Sequence, residues 1–569
     1  MQRSRPWAIL IVLCLGTFAI LLDTTIVNVA LPSLITSLHA SLDQALWVVN
    51  GYLLVFCALL IVASRLGDRF GRRRLFVAGL ALFAVASALC GAAQNPAELV
   101  AARVLQGFGA AALAPQPMAI IQDVFPRERM GAAFGIFSSM VGLAAVSGPV
   151  VGGILTSYLS WRWVFYVNLP IAAAGIVLAL RLVPEAGTRH RHRFDLTGVV
   201  LSTTGLAAVV FGLIEGQRYH WGTIAGLVSI PAILAAGVLV LAAFVVWEHR
   251  VNEPLMPLGL FGDRTFTIMV VLNVVVQFAL QSMLLVNSIN LQSVLGFSAV
   301  RAGLTGLPLT IALTALAPFA GRLTDRFGGK FVLFTGLLVY AAGIGGVALA
   351  ASVHATSLTF APALLVAGLG MGAIFAPLAT MAMRAVPSRL AGAASGVLNT
   401  GRQLGATLGA AVSGAVLASA LASAVRVRAV AGARSLPPAF RPGFVSGFAR
   451  ATRDGLQVGR GQGAGAVAVP RSVPAAAAAQ IRQLAGDIFG HSYIAAMRPT
   501  LAVSVALLVA GAGLCLLLPR HRTGAPAASP ASAAITVSAP GASAPGASGP
   551  DPIPAPDPVP APAIEQTPR

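Results

Sequence analysis

Long apolar stretches recur along most of this chain and constrain its fold more than any other feature. A helix that crosses a bilayer needs about 20 predominantly apolar residues, and the sequence contains about fourteen such stretches. The composition agrees, since 57% of the residues are hydrophobic and 10% are charged, whereas about a quarter are charged in a soluble protein. The chain is therefore predicted to be an all-α integral membrane protein. The stretches lie near 7–31, 45–64, 75–93, 97–121, 132–157, 163–182, 196–215, 223–247, 265–288, 299–320, 331–351, 357–380, 393–420 and 497–518.

The first stretch follows Arg3 and Arg5 and resembles a secretion signal at its start. It is too long for a signal peptide, it contains Asp23, and many further apolar stretches follow it. We therefore expect it to be retained as the first membrane helix.

Basic residues are concentrated in every second loop, which predicts the orientation of the chain. Short loops with an excess of Lys and Arg stay on the cytoplasmic side of a membrane. The intervening loops carry only Arg162, Arg218 and Arg301. Both termini are therefore predicted to be cytoplasmic. The basic positions on that side are Arg3, Arg5, Arg65, Arg69, Arg72, Arg73, Arg74, Arg127, Arg129, Arg189, Arg191, Arg193, Arg250, Arg264, Arg322, Arg326, Lys330, Arg384 and Arg389.

The formal net charge of +20 does not indicate a nucleic-acid-binding protein. The arginines lie in short loops, without the basic face and interleaved aromatic residues that a single-strand binder uses. The expected partners are the lipid bilayer and a small-molecule substrate, and no nucleic acid.

The sequence also lacks a recognisable pattern for metal binding or covalent catalysis. The four cysteines lie inside apolar stretches without CxxC spacing, and the histidines are scattered. Neither a Walker motif nor a Ser-His-Asp grouping stands out. We therefore expect no enzyme activity, no metal and no cofactor, so energy must come from an ion gradient or from another chain.

Two segments differ in composition from the apolar stretches. Segment 421–496 is rich in Gly, Pro and Ala, and we predict a loosely structured external segment with a short helix near Ala475–Phe489. Its arginines do not contradict the topology, because loops longer than about 60 residues escape the positive-inside rule. Segment 519–569 consists mainly of Ala, Pro and Ser and is predicted to be a disordered cytoplasmic tail.

One loop motif occurs twice and divides the chain into halves. Residues 64–73 read Ser-Arg-Leu-Gly-Asp-Arg-Phe-Gly-Arg-Arg, and residues 321–330 read Gly-Arg-Leu-Thr-Asp-Arg-Phe-Gly-Gly-Lys. A repeated half is typical of transporters that rock two bundles around a central site. The spacing predicts two six-helix bundles and two inserted helices. The predicted regions are 1–194 (first bundle), 195–250 (inserted helices with linker), 251–420 (helices nine to thirteen) and 497–518 (last helix).

We expect the repeated motif to form a conformational latch between neighbouring helices. Gly71 and Gly328 permit a tight turn. Asp68 and Asp325 can meet a helix N-terminus or an arginine of a neighbouring helix. The alternative is a basic turn that only fixes topology. The cations expected to take part are Arg69, Arg72 and Arg326.

An acidic and a basic residue lie inside membrane helices at matching depth. Asp23 and Arg103 are each about four residues to the external side of the middle of their helices, or roughly 6 Å from the midplane. Charges inside a membrane are costly and are normally paired and functional. Desolvation opposes ionisation of a carboxyl group and a nearby cation favours it, and this balance suits a proton carrier. A static ion pair that orders packing is the alternative.

The fifth stretch is rich in glycine. Gly148 and Gly152 form a small-xxx-small face for close helix approach, and Pro149 removes a backbone donor and bends the helix. Gly142 and Gly153 belong to the same segment.

These motifs resemble those of the major facilitator superfamily. The loop motif is similar to the family signature, although Ser64 replaces the usual Gly and Gly329 replaces a basic residue, which predicts a weaker latch in the second half. The glycine-rich helix resembles the motif of proton-antiporting exporters. Together with residues 22–32, 47–52 and 160–170, these segments make the chain similar to the fourteen-helix drug–proton antiporters of EmrB and QacA type over about 7–420 and the last helix. The resemblance implies the major facilitator fold and a bacterial cytoplasmic (inner) membrane.

Polar residues on otherwise apolar helices are candidates for a substrate cavity. Asn273, Gln277 and Gln281 on the ninth stretch recur every four residues and share a face, and Asn399, Gln403 and Thr407 do the same on the thirteenth, with Arg402 beside them. Interhelical hydrogen bonding is the alternative. Arg402 could meet a carbonyl, water, an anionic substrate or a residue of the first half. The candidates are Asn28, Gln106, Asn273, Gln277, Gln281, Asn399, Arg402 and Gln403.

The sequence therefore predicts a proton-coupled multidrug efflux antiporter that exports small lipophilic compounds by alternating access, with protons as the coupling ion. One alternative is a dedicated exporter of a single metabolite, such as an antibiotic or an amino acid. Another is a membrane-embedded enzyme or receptor, which would need groupings of His, Asp or Ser that the helices lack. A periplasmic adaptor protein is a candidate partner.

Overall fold

The computed structural model describes residues 6–185, 195–216, 218–219, 221–226, 228–251, 254–434, 436, 438, 441–453 and 475–518. The N-terminal Arg3 and Arg5, the arginines at 189–193, residues 454–474 and the predicted tail lie outside the described residues. Helices dominate the described chain, together with a two-stranded hairpin of β1 (Thr223–Ala225) and β2 (Val228–Ser229). The helices are α1 (Pro6–Leu38), α2 (Leu42–Phe70), α3 (Arg72–Ala92), α4 (Pro96–Leu113), α5 (Gln116–Val124), α6 (Met130–Tyr158), α7 (Trp163–Tyr166), α8 (Asn168–Leu182), α9 (Leu196–Glu215), α10 (Ile230–Arg250), α11 (Arg264–Ile289), α12 (Ala299–Thr305), α13 (Leu307–Phe327), α14 (Gly329–Ala350), α15 (Ser357–Arg384), α16 (Ala391–Ala433), α17 (Arg441–Arg453) and α18 (Ala475–Leu516).

Thirteen helical segments are long and apolar enough to cross a membrane within the residues searched. Helix α6 has 29 residues and no charged side chain, so it is long enough to cross as well. The protein is a multi-pass, all-α membrane protein.

The helices form two halves with an inserted pair. Helices α1–α8 form the first half and α11–α18 the second, and α6 packs against α13 while α2 packs against α16. The inserted helices α9 and α10 pack on each other, and α9 lies against α2. A small apolar cluster joins this pair to the bundle through Ile61, Leu206 and Phe244.

Segment 421–496 differs from the predicted loosely structured loop. Helix α16 continues to Ala433, and the last helix is continuous from Ala475 rather than confined to 497–518. At 1.5 Å per residue each is about 60 to 65 Å long, roughly twice the thickness of a hydrocarbon core. The Ala-rich composition explains the difference, because alanine favours helix with or without membrane burial.

The two loop motifs lie at one end of the bundle, which we call the motif end. Trp7, at the start of α1, packs on Phe125 with ring centroids 5.0 Å apart. Lys330 donates to the carbonyl oxygens of Leu516 and Leu518 at 2.8 and 2.6 Å, at the end of α18. The start of α1 and the end of α18 therefore both lie at the motif end.

Candidate functional site

A buried ion pair joins α1 and α4 in the first half. Arg103 Nη1 donates to Asp23 Oδ2 at 2.6 Å, and the two side chains are 1% and 0% exposed. The structure thus brings together the two residues that matching depth predicts to be neighbours.

Two amides complete the hydrogen bonding of Asp23. Gln106 Nε2 and Asn168 Nδ2 donate to Asp23 Oδ1 at 2.9 and 3.0 Å. Arg103 Nη1 also donates to Gln106 Oε1 at 2.7 Å. Gln106 is predicted to line the substrate cavity, but it is fully buried in this cluster. Three side chains thus donate to this carboxylate, whose two oxygens act as acceptors.

Asn168 is a functional candidate that the sequence alone does not single out. It begins α8, and its amide also donates to Ser87 Oγ at 3.1 Å, so it links Asp23 to α3. Its Oδ1 is buried without a hydrogen-bond partner in the described structure. The only sequence signal is that Asn168 is a polar residue in the otherwise apolar and aromatic segment 163–170.

Tyr52 of α2 covers the other side of Arg103. The guanidinium carbon lies 4.2 Å from the centroid of the Tyr52 ring, and Arg103 Nε donates to the Val48 carbonyl at 2.9 Å. A desolvated cation–π contact is worth about 2 kcal/mol. Arg103 is therefore held by α1, α2 and its own helix, as a charge inside a membrane requires.

The glycine-rich helix α6 lies between the two halves. An added Cβ at Gly148 would meet Thr25, and one at Gly152 would meet Ile26 at 2.8 Å, so both glycines lie against α1. Gly142 lies instead against Thr314 of α13, and Gly153 is more open, with Val300 at 3.8 Å. The helix is continuous past Pro149, whose side chain lies outside the described atoms.

Both loop motifs turn through glycines with positive φ, 105° at Gly71 and 84° at Gly328. In the first copy, Arg72 Nη2 donates to Asp68 Oδ1 at 2.9 Å and its Nη1 to Asp123 Oδ2 at 2.6 Å. Arg72 also donates to the Ser388 carbonyl of the second half at 3.2 Å. The first copy therefore ties α2, α3 and α5 to the second half.

The second copy makes its contacts with a different arginine. Asp325 accepts from the backbone N–H groups of Gly131 and Ala132, both at 2.8 Å, in the first turn of α6. Arg384 Nη2 donates to Asp325 Oδ1 at 2.5 Å. Arg326, predicted to take part, lies over the Phe327 ring at 5.1 Å, and Arg69 over the Phe70 ring at 5.3 Å. Arg72 and Arg384 thus make the shortest ion pairs of the two aspartates, and Arg65 lies 4.0 Å from Asp68.

The two copies contact opposite halves in a reciprocal way. Asp325 caps the first turn of α6, while an added Cβ at Gly392, in the first turn of α16, would meet the Asp68 carboxylate. The arrangement closes the motif end by joining each half to a helix N-terminus of the other. Although Gly329 replaces a basic residue of the motif, Asp325 still has a cationic partner, because Arg384 binds it.

The remaining cavity candidates divide into bonded and unbonded side chains. Asn273 Nδ2 donates to the Leu398 carbonyl at 2.6 Å and so joins α11 to α16. Asn399 Nδ2 donates to the Ser395 carbonyl at 2.9 Å, within α16. Asn28 is exposed and donates to the Thr24 carbonyl at 3.0 Å. The structure gives no side-chain hydrogen bond among its described residues to Gln277, Gln281, Arg402 or Gln403.

The chain matches the family model described as Major Facilitator Superfamily over residues 13–410. It belongs to the major facilitator superfamily. Members of this superfamily are membrane transporters. The protein is therefore a transporter rather than an enzyme.

Individual comparisons agree with this assignment. The chain is 36% identical to the tetracenomycin C resistance and export protein of Streptomyces glaucescens, over 71% of this chain and 74% of that protein. It is also 36% identical to the multidrug resistance protein Stp of Mycobacterium tuberculosis, over 69% and 72% of the two chains. The structure of the human organic anion transporter MFSD10 superposes with a TM-score of 0.57, covering 90% of this chain and 100% of that one at 12% identity. That last likeness shows the fold alone.

Proposed function

We propose that this protein is a proton-coupled exporter of small lipophilic compounds, of the fourteen-helix drug–proton antiporter type. The observation that carries the proposal is the Asp23–Arg103 pair, fully buried within the first half. An ionisable pair at such a place is expensive and marks a functional site by default. Relatives that are named for export and resistance support the outward direction of transport.

We assign the motif end to the cytoplasm of a bacterial cell. The arginines of the loop motifs lie there, and the positive-inside rule places such loops in the cytoplasm. Because the start of α1 and the end of α18 share this end, both termini are then cytoplasmic. The long helices α16 and α18 extend to the external side, where a periplasmic adaptor is a candidate partner that co-purification would test.

Asp23 is the proposed proton carrier. In the ionised form it accepts hydrogen bonds from Arg103, Gln106 and Asn168. A proton that arrives from outside would occupy a carboxyl oxygen and weaken the bond to Arg103. A rotated Asn168 amide would then present its unbonded Oδ1 to accept from the protonated carboxyl group. The site therefore has partners for both protonation states.

Alternating access requires the motif end to open and close. With the motif end closed, as in this structure, Asp325 binds α6 and Arg384, and Arg72 binds Asp68 and the second half. Release of the proton to the cytoplasm requires these contacts to break. Protonation of Asp23 and rupture of the latch are the two events that transport must couple.

The relatives support a narrow and a broad substrate range equally. One relative is named for tetracenomycin C and another for multidrug resistance. A dedicated exporter of one metabolite is therefore the second candidate, and it uses the same coupling site.

Everted membrane vesicles carrying the wild type or Asp23→Asn test the coupling. A pH-sensitive dye records proton release while neutral, cationic and anionic lipophilic compounds are added. We expect compounds to release protons from wild-type vesicles and none to do so from Asp23→Asn vesicles, because the amide cannot carry the proton. The compounds that respond define the substrate class.

Two controls separate coupling from folding. Asp23→Glu keeps the titratable group and should retain part of the response, and both variants should elute as folded protein on size exclusion. A full response in Asp23→Asn would remove Asp23 from the coupling role. A folded wild type that responds to no lipophilic compound would instead favour a dedicated metabolite exporter.

A further inference from the structure

The second half carries a cation that its own helices leave uncompensated. Arg402 lies in α16, where the described residues offer its guanidinium no hydrogen bond and no ion pair. The side chain is half-buried, so part of its surface remains accessible. A half-buried cation without a partner needs water or a ligand at its accessible surface.

The direction of Arg402 follows from its helix. Ser395 lies two turns earlier on α16, at nearly the same angle around the helix axis, and its Oγ donates to the Pro115 carbonyl of the first half at 2.5 Å. Arg402 therefore points between the two halves, where a major facilitator transporter binds its substrate, and away from lipid.

The buried carboxylate of the first half, Asp23, makes no ion pair with Arg402. Asp23 is occupied by Arg103 and two amides in a fully buried cluster. Within the described membrane interior the single acid pairs with Arg103, which leaves the positive charge of Arg402 between the two halves. The unbonded side chains of Gln277 and Gln403, together with Arg402, offer hydrogen-bond donors but no anion.

We propose that Arg402 binds an anionic oxygen group of the exported compound, a carboxylate or sulfonate on an aromatic or apolar skeleton. A planar guanidinium binds such oxygen pairs with two parallel hydrogen bonds, and the ligand charge compensates the enclosed cation. An organic cation would find a repulsive site. This inference rests on the proposed export function and narrows its substrate class.

A matched pair of fluorescent probes tests the proposal. N-phenyl-1-naphthylamine is neutral, and 8-anilinonaphthalene-1-sulfonate carries the same rings with one sulfonate. Transport of both is measured in proteoliposomes with wild type, Arg402→Gln, Arg402→Lys and the control Arg426→Gln, an exposed arginine further along the same helix. Ethidium serves as the cationic probe.

We expect wild type to export the anionic probe and Arg402→Gln to lose at least about tenfold in its apparent affinity, as for loss of a charge-assisted hydrogen bond. Arg402→Lys should retain part of the affinity because it keeps the charge, and Arg426→Gln should match wild type. Export of the neutral probe should be unchanged in Arg402→Gln, which shows that this variant folds.

Three results would overturn the proposal. The first is equal transport of the anionic probe by wild type and Arg402→Gln, and the second is wild-type export of neutral or cationic probes without the anionic one, which leaves the export function intact. If wild type transports no probe, the proposed export of these compounds is wrong. Binding of the sulfonate probe to purified wild type and Arg402→Gln then tests the Arg402 site separately. Weaker binding by Arg402→Gln than by wild type supports the site, and equal or absent binding excludes it.

Discussion

Tyr52 shows how single side chains make a charge tolerable inside the first half. Its ring lies under the Arg103 guanidinium, while its own hydroxyl is buried without a hydrogen-bond partner in the described part of the chain. The ring and the hydroxyl therefore contribute differently. The ring face stabilises the cation, whereas the hydroxyl adds no bond to the cluster.

Replacing Tyr52 separates these contributions. We expect Tyr52→Phe to keep the thermal unfolding midpoint and the proton-coupled response of wild type, because the ring stays over Arg103. Tyr52→Leu should lower the free energy of unfolding by about 2 kcal/mol through loss of the cation–π contact. Differential scanning fluorimetry and the vesicle assay measure both effects. Equal behaviour of Phe and Leu variants would contradict a role for the ring.

Residue-level prediction from sequence succeeded where depth and spacing decide contact. Asp23 and Arg103 lie at equal depth on neighbouring helices, and the structure pairs them. The polar character of Gln106 predicts a cavity position, but the structure places this side chain in the ion-pair cluster, three residues after Arg103 on the same helical face. Asn168 could not be assigned, because its contact depends on how α8 packs against α1 and α3.

At the scale of elements, α6 depends on glycines at particular positions rather than on glycine content. Gly148 and Gly152 lie against α1, so these two helices can approach closely. Gly153, next to Gly152, has no close neighbour on its Cβ side other than Val300 at 3.8 Å. The two neighbouring glycines therefore differ in what a methyl group would meet.

A pair of alanine substitutions tests this difference. Gly148→Ala places a Cβ against Thr25 and should cost about 1 to 3 kcal/mol of stability through overpacking, with reduced transport because α1 carries Asp23. Gly153→Ala meets only an ordinary contact, and because alanine is also the better helix former it should be neutral or slightly stabilising. Thermal unfolding and vesicle transport are measured for both. Equal losses in both variants would show that helix flexibility, and not close packing, is what the glycines provide.

Element boundaries were predictable only where the membrane sets them. The hydropathy of the sequence predicts that the thirteenth stretch ends at 420, before Arg426 and Arg428, although α16 continues to Ala433. Outside the bilayer, helix length follows local propensity and packing. Phe444 and Phe448 of α17 are buried on this extension, a tertiary contact that no hydropathy pattern reveals.

At the scale of the whole molecule, the two halves use the same latch with the cation moved. Asp123 lies three residues before Pro126, and Arg384 lies three residues before Pro387. In the first half, Asp123 occupies the position three residues before the proline, and its partner Arg72 follows Gly71. In the second half, Arg384 occupies the equivalent position, and the uncharged Gly329 follows Gly328. The expectation of a weaker second latch rested on Gly329 alone. The compensating residue, Arg384, lies 55 positions after Gly329, so the loop motif does not reveal it.

The latch of the second half should control how often the motif end opens. Arg384→Gln removes the partner of Asp325, which then retains only the backbone bonds to Gly131 and Ala132. We expect the open population of the motif end to rise about tenfold, the change that a coupling of 1 to 2 kcal/mol produces.

A cysteine introduced as Ser395→Cys reports opening, because Ser395 is fully buried between the halves and the native cysteines are also buried. The rate of maleimide labelling should rise in Arg384→Gln and stay at the wild-type value in Arg389→Gln, an exposed arginine nearby. Asp325→Asn should raise it at least as much, since it weakens the contacts to both Arg384 and the first turn of α6. Unchanged labelling in both latch variants would mean that the apolar packing of α6 on α13, and not the charged contacts, holds the motif end closed.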